Sequence, residues 1–121
     1  MLNEKQIELL KNQKTVVLTT SDADNQPRSV FVEASIVRND SIFITDNHLE
    51  KTIENIKQNE KVFILAYKED YSYIVYITGT TIYHDNGNIL EEIKNLPENK
   101  KYNPKSVIEI KINKIEEPFN I

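Results

Sequence analysis

Six runs of apolar and β-branched residues recur along this chain, and three of the five links between them are only a few residues long. The runs are Thr15 to Thr20, Pro27 to about Arg38, Ser41 to Thr45, Lys61 to Tyr67, Ser72 to Tyr83 and Ser106 to Ile115. The short links are Ser21 to Gln26, Asn39-Asp40 and Lys68 to Tyr71, rich in Asp, Asn and Ser. Such residues hydrogen-bond their own backbone and tolerate turn geometry, so the runs read as strands. A link this short cannot carry a crossover, so the strands it joins are antiparallel neighbours. The first three runs therefore predict a meander. The first has no polar alternation and predicts a strand buried on both faces. In the second, Val30, Val32, Ala34 and Ile36 alternate with Phe31, Glu33, Ser35 and Val37; in the last, Ile108, Ile110 and Ile112 alternate with Glu109 and Lys111. Gly79, inside the long fifth run, marks a bulge or bend.

Three short helices fill the remaining chain. Residues 2–13 begin with Asn3 followed by Gln6, the spacing of a capping box. Residues 48–58 follow Asn47, with Glu50 as its capping partner, and place Leu49, Ile53 and Ile56 on one face. Residues 88–95 follow the turn Asp85-Asn86-Gly87 and stop at Pro97, leaving Glu98 to Pro104 as a polar connection. Six strands with so little helix cannot form a doubly wound sheet. The fold class predicted is mainly β: a small six-stranded antiparallel barrel, whose closure removes exposed strand edges. A chain of 121 residues is the size of one domain, spanning 1–121.

Composition narrows the function. Fifteen basic and nineteen acidic residues give a net charge of −4, which disfavours generic duplex binding. There are no cysteines, which excludes disulfides, cysteine-ligated zinc and thiol catalysis; His48 and His84 lie far apart, and no metal site is expected. Gly79 and Gly87 are the only glycines. Dinucleotide and Walker loops need several clustered glycines, so a bound nucleotide would be held by side chains and a helix start instead. No signal-peptide pattern or membrane-length apolar run occurs, so the expected location is cytoplasmic.

The segment Thr45-Asp46-Asn47-His48-Leu49-Glu50-Lys51-Thr52 carries the most chemistry. A strand ends, a cap follows, and a helix begins with Lys51 and Thr52 in its first turn. A lysine there opposes the helix dipole unless an anion sits at that end, held by free N–H groups, the ammonium and the hydroxyl. A phosphate fits. A solvated helix surface carries the same residue types, and spacing alone does not separate the two readings. Arg28, opening the second strand, is a second candidate cation; the meander by itself puts it at the far end of the sheet from Thr45. His84, between a strand and a turn, reads as a surface histidine.

The ordered pieces VVLTTSDADNQPRSVFVEASIV, DSIFITDNHLEKTIENIKQNEKVFIL and YIVYITGTTIYHDNG resemble the FMN-binding split barrels of the pyridoxamine 5′-phosphate oxidase-like superfamily, nearest its small minimal FMN-binding members. The resemblance covers about residues 5–87. It implies a split barrel that forms a homodimer with FMN at the interface. It places the phosphate at Lys51 and Thr52. Arg28, Ser29 and Val30 are expected along the ribityl and phosphate side, and Thr45, Asp46 and Asn47 against the ring. Tyr71, Tyr73 and Tyr76 are candidates to close the flavin from the partner subunit. The implied function is a flavin-dependent oxidoreductase or electron carrier. A non-catalytic flavin-binding dimer, or a barrel using haem or F420, is the alternative. The first hairpin has Asp24-Asn25 where many relatives have Asp-Gly, and the C-terminal region that builds the vitamin B6 site is lacking. No nucleophile–base pair is evident, so no catalytic residue is assigned.

Overall fold

The computed structural model describes residues 1–46, 48–100 and 103–118. Helix α1 is Glu4–Asn12. Strands β1 (Thr15–Ser21), β2 (Pro27–Glu33), β3 (Ile36–Val37) and β4 (Ser41–Asp46) follow, then helix α2 (Glu50–Gln58). Strands β5 (Lys61–Tyr67) and β6 (Ile74–His84), helices α3 (Asn88–Lys94) and α4 (Pro97–Lys100) and strand β7 (Ser106–Glu116) complete the chain. The described strands form one seven-stranded antiparallel sheet in the order β2-β1-β5-β6-β7-β4-β3.

The mainly β split-barrel class is as predicted, with one more strand and one more helix. The extra strand arises because the run from Pro27 does not stay in one ladder. β2 pairs with β1, and β3 pairs with β4 at the opposite edge of the sheet. The break falls at Ala34 and Ser35. The N–H of Ala34 donates to the Lys14 carbonyl at 2.8 Å, while the next amide, Ser35, donates to Phe43 at 2.8 Å. Two successive amides thus join the two edges of the curled sheet. The extra helix is α4. Pro97, expected as a stop, opens this helix at its first position, where a missing N–H costs nothing.

Residues 2–13 were expected to be helical. Glu4–Asn12 is, with Asn3 as N-cap and both capping-box bonds to Gln6 present at 2.9 Å. β1 departs from its expectation. Val16, Leu18 and Thr20 are buried, but Thr15, Val17, Thr19 and Ser21 are only half-buried. Its half-buried side chains line the face opposite the one that Asn55 of α2 meets at Thr20.

Inside the barrel, Val16, Leu18, Ile42, Ile44, Ile64, Ile77, Ile108 and Ile110 are nearly or wholly sealed from solvent. The outer face of β4 and β7 is covered by α3, through Phe43, Leu90, Ile93 and Val107. The longest ladder, β6 with β7, shifts register between Thr78 and Gly79, the bulge expected there. Only glycine fits. A Cβ on Gly79 would meet Ile110 Cγ2 at 2.6 Å and the Lys111 carbonyl oxygen at 2.8 Å. Gly79→Ala is therefore expected to destabilise the fold by about 1–3 kcal/mol through overpacking, read as a lower urea midpoint at unchanged slope.

Candidate functional site

The sheet closes at Ala34-Ser35 and stays open beyond it. Among the described residues β2 pairs only with β1, so one edge of β2 carries unbonded backbone groups. On the other side, β3 reaches only Ile42 and Phe43, leaving Ile44 and Thr45 of β4 unpaired toward β2. A seam lined by free N–H and C=O groups is a ready donor–acceptor surface for a flat heteroatom-bearing ligand.

Helix α2 spans this region from one anchor to another. Near its start, β4 ends at Asp46, and the hydroxyl of the preceding Thr45 lies 3.3 Å from that of Ser35. Farther along, buried Asn55 donates from Nδ2 to Thr20 Oγ1 at 3.1 Å. Thr20 is the cross-strand partner of Arg28. Arg28, exposed and two residues from Val30, shares with it and with Thr20 one face of the sheet, the face on which Asn55 of α2 meets β1. In chain order Lys51 and Thr52 lie between these anchors. The helix link thus reaches the Arg28 end of the sheet, which the meander alone does not.

The helix starts at Glu50, two residues later than expected. Its N-cap is Leu49, with no side-chain capping bond, rather than Asn47. Asn47 lies outside the described residues. The amides of Glu50, Lys51 and Thr52 precede the first intrahelical bond, from Ile53 N–H to Leu49 O at 2.8 Å. Lys51 is exposed and pairs with Glu54 at 3.3 Å. Thr52 is 2% exposed, and among the described residues its hydroxyl makes no hydrogen bond. Ser29 faces the other way, bonding Thr19 Oγ1 at 2.8 Å on the outer face. Asp46 ends β4 opposite Ser106.

Two open clefts flank α1. One, of about 570 Å³, takes in Thr45 together with Lys11, Lys14, Glu33 to Val37, Leu96 and Asn99. None of Arg28, Ser29, Val30, Lys51 or Thr52 lines it. The other, of about 650 Å³, lies between α1 and the β5–β6 turn, with Tyr73 in its wall. Sequence reasoning missed the contribution of α1 to both clefts; nothing in its helical pattern signals which polar face meets the barrel.

The three tyrosines separate. Tyr73 is engaged within its own chain: its hydroxyl donates to Glu117, which also accepts from Gln6 Nε2 at 3.3 Å, and Lys5 Nζ sits 4.2 Å above its ring. Tyr76 packs on Phe63 at 5.3 Å, and Tyr71 is 70% exposed beside Tyr67. His84 is not a bare surface histidine. Its side chain is 19% exposed and its Nε2 lies 2.8 Å from Glu109 Oε1. Among the described residues no group of three or more His, Asp or Glu could hold a metal. No helix is long and apolar enough to cross a membrane.

A curled antiparallel sheet joined at one end and open along a seam defines the split-barrel class. A family model described as pyridoxamine 5′-phosphate oxidase matches residues 2–118, and the chain belongs to that family. None of the curated proteins compared with it matches. Among solved structures, HupZ of Group A Streptococcus superposes with a TM-score of 0.89 at 21% identity, covering 99% of this chain and 96% of that one. An FMN-binding protein from Syntrophomonas wolfei gives 0.76 at 18% identity, covering 98% and 86%. An F420 reductase gives 0.74 at 15% identity, covering 95% and 98%. At these identities the likeness establishes the fold.

Burial, then the Glu117 carboxylate, push the Tyr73 phenol well above its ordinary range. A raised pKa stabilises the fold fully below the unfolded value of about 10, and that contribution is lost as pH rises above it. Tyr73→Phe should lower stability by about 1–2 kcal/mol at pH 8. The gap to the wild type should narrow as pH is raised past 10. Urea midpoints falling in parallel would show that Tyr73 keeps no special hold on its proton.

Proposed function

We propose that this protein is an FMN-binding flavoprotein, an oxidoreductase or electron carrier, with the flavin along the seam between β2 and β4. The observation that carries the reading is the start of α2, whose N-cap residue, Leu49, has no polar side chain to cap it. Among the described residues no side chain caps the amides of its first turn, which Lys51 and Thr52 occupy. Helix α1 of the same chain is closed by a full capping box. A helix start with no polar N-cap side chain, bearing a lysine and a buried threonine hydroxyl, suits a phosphate. Arg28, exposed opposite Thr20 at the end of the sheet that Asn55 of α2 reaches, would add positive potential. Val30 would pack along the ribityl chain. Thr45, Asp46 and Asn47 would meet the ring with backbone and side-chain groups. With the flavin bound, hydride or electron transfer is its chemistry; the chain supplies binding and orientation.

The protein would act as a homodimer. Across β2, β1, β5 and β6 the aligned residues Phe31, Val17, Leu65 and Tyr76 make an apolar row on the uncovered face, with Phe63 beside it. Phe31 is 71% exposed. Large exposed apolar surface of this kind marks an interface. A dimer by light scattering at micromolar concentration is the expected result; a monomer would sink the shared-interface reading.

The cofactor is tested by the absorption spectrum after adding FMN and desalting. Flavin bands at one FMN per chain are expected. Lys51→Ala should weaken FMN by about 1.5–3 kcal/mol, the scale of a charged hydrogen bond, and leave riboflavin, which has no phosphate, unchanged. Equal losses for both flavins would count against a phosphate at this helix. Turnover of NADH with an artificial acceptor would then separate an enzyme from a carrier or store.

A further inference from the structure

The cleft beside Thr45 is unlike the rest of this acidic chain. Its charged lining is Lys11, Lys14 and Glu33, a surplus of one positive charge in a protein of net charge −4. The cleft between α1 and the β5–β6 turn is lined by Lys5 and Lys68 against Glu8, Glu69 and Asp70, a surplus of one negative charge. Among the described residues neither Lys11 nor Lys14 forms an ion pair, so both ammonium groups are free to meet a ligand. Lys11 lies in the last turn of α1, where a cation complements the helix dipole. That accounts for Lys11 alone, since Lys14 stands beyond the helix.

The cleft is also well held. The Lys14 carbonyl accepts the Ala34 N–H at 2.8 Å, Ser35 bonds Phe43 at 2.8 Å, and the Ser35 and Thr45 hydroxyls lie 3.3 Å apart. Asn99, 8% exposed, is fixed by its bond to the Ile93 carbonyl at 3.1 Å. A volume of about 570 Å³ is that of an ordinary small-molecule site.

We propose that this cleft binds a small organic anion, a carboxylate- or phosphate-bearing molecule, with Lys11 and Lys14 as its charge anchors. The hydroxyls of Ser35 and Thr45 supply neutral hydrogen bonds, and Glu33 limits the negative charge the cleft accepts. The binding claim stands on the cleft itself. That the anion would lie next to a flavin, through the shared Thr45, rests on the reading of the seam given above.

The test is an amide chemical-shift titration of the full-length, flavin-free protein with succinate and with inorganic phosphate at fixed ionic strength. Tetramethylammonium serves as the cationic control. Saturable shifts are expected at Lys14, Ala34, Ser35 and Thr45 with the anions and not with the cation. The double variant Lys11→Gln/Lys14→Gln should bind tenfold or more weakly while keeping the dispersed spectrum of a folded barrel. Glu33→Gln should bind several-fold more tightly, a gain that misfolding cannot imitate. Saturation by one anion and not the other identifies the head group. Shifts confined to residues 50–53 would overturn the cleft and leave the phosphate site of α2 standing. Shifts at neither place, or unchanged binding in the double lysine variant, would also overturn it.

Discussion

Two successive backbone amides hold this barrel together at one end. Ala34 points its N–H at the lead-in to β1, and Ser35 points its own at β4, so adjacent residues bond strands from opposite ends of the sheet order. The outward alternation of side chains is matched by an alternation of backbone groups along an extended chain. A run that switched partners gradually would keep both edges satisfied. Switching within two residues closes one end and leaves the remainder of β2 and β4 facing each other without ladder bonds. The seam and the cleft around Ser35 both follow from that single change of partner.

Much of this was legible in the chain, because its turns are short and chemically explicit. The capping box at Asn3 and Gln6, the hairpin after Ser21 and the bulge at Gly79 each rest on a local rule that nothing distant overrides. The break at Ala34-Ser35 was not legible. Apolar alternation runs straight through it, and the change of ladder depends on β4 and β1 arriving from elsewhere. Nor could β1, whose apolar and β-branched residues do not alternate with polar ones, reveal that only one of its faces is buried. Pro97 read as a stop because the same ring that ends one helix can begin another.

The candidate site was legible in part. Lys51 and Thr52 fall in the first turn of α2, as their spacing from the strand implied. The residues chosen on β2 divide by parity, with Arg28 and Val30 toward α2 and Ser29 outward. The link between α2 and this end of the sheet is the buried bond of Asn55 to Thr20, residues 35 apart in sequence. What the sequence could not show was the company each charge keeps: Glu54 on Lys51, Glu117 on Tyr73, Glu109 on His84.

The open seam carries a liability of its own. A row of unbonded strand groups bordered by an exposed Phe31 is the same surface that an extended segment of another molecule could add to as an eighth strand. Whatever fills the seam competes with that addition. Occupancy would therefore govern how long the protein stays in solution at high concentration. A ligand bound here would guard against cross-strand association, quite apart from any chemistry it performed.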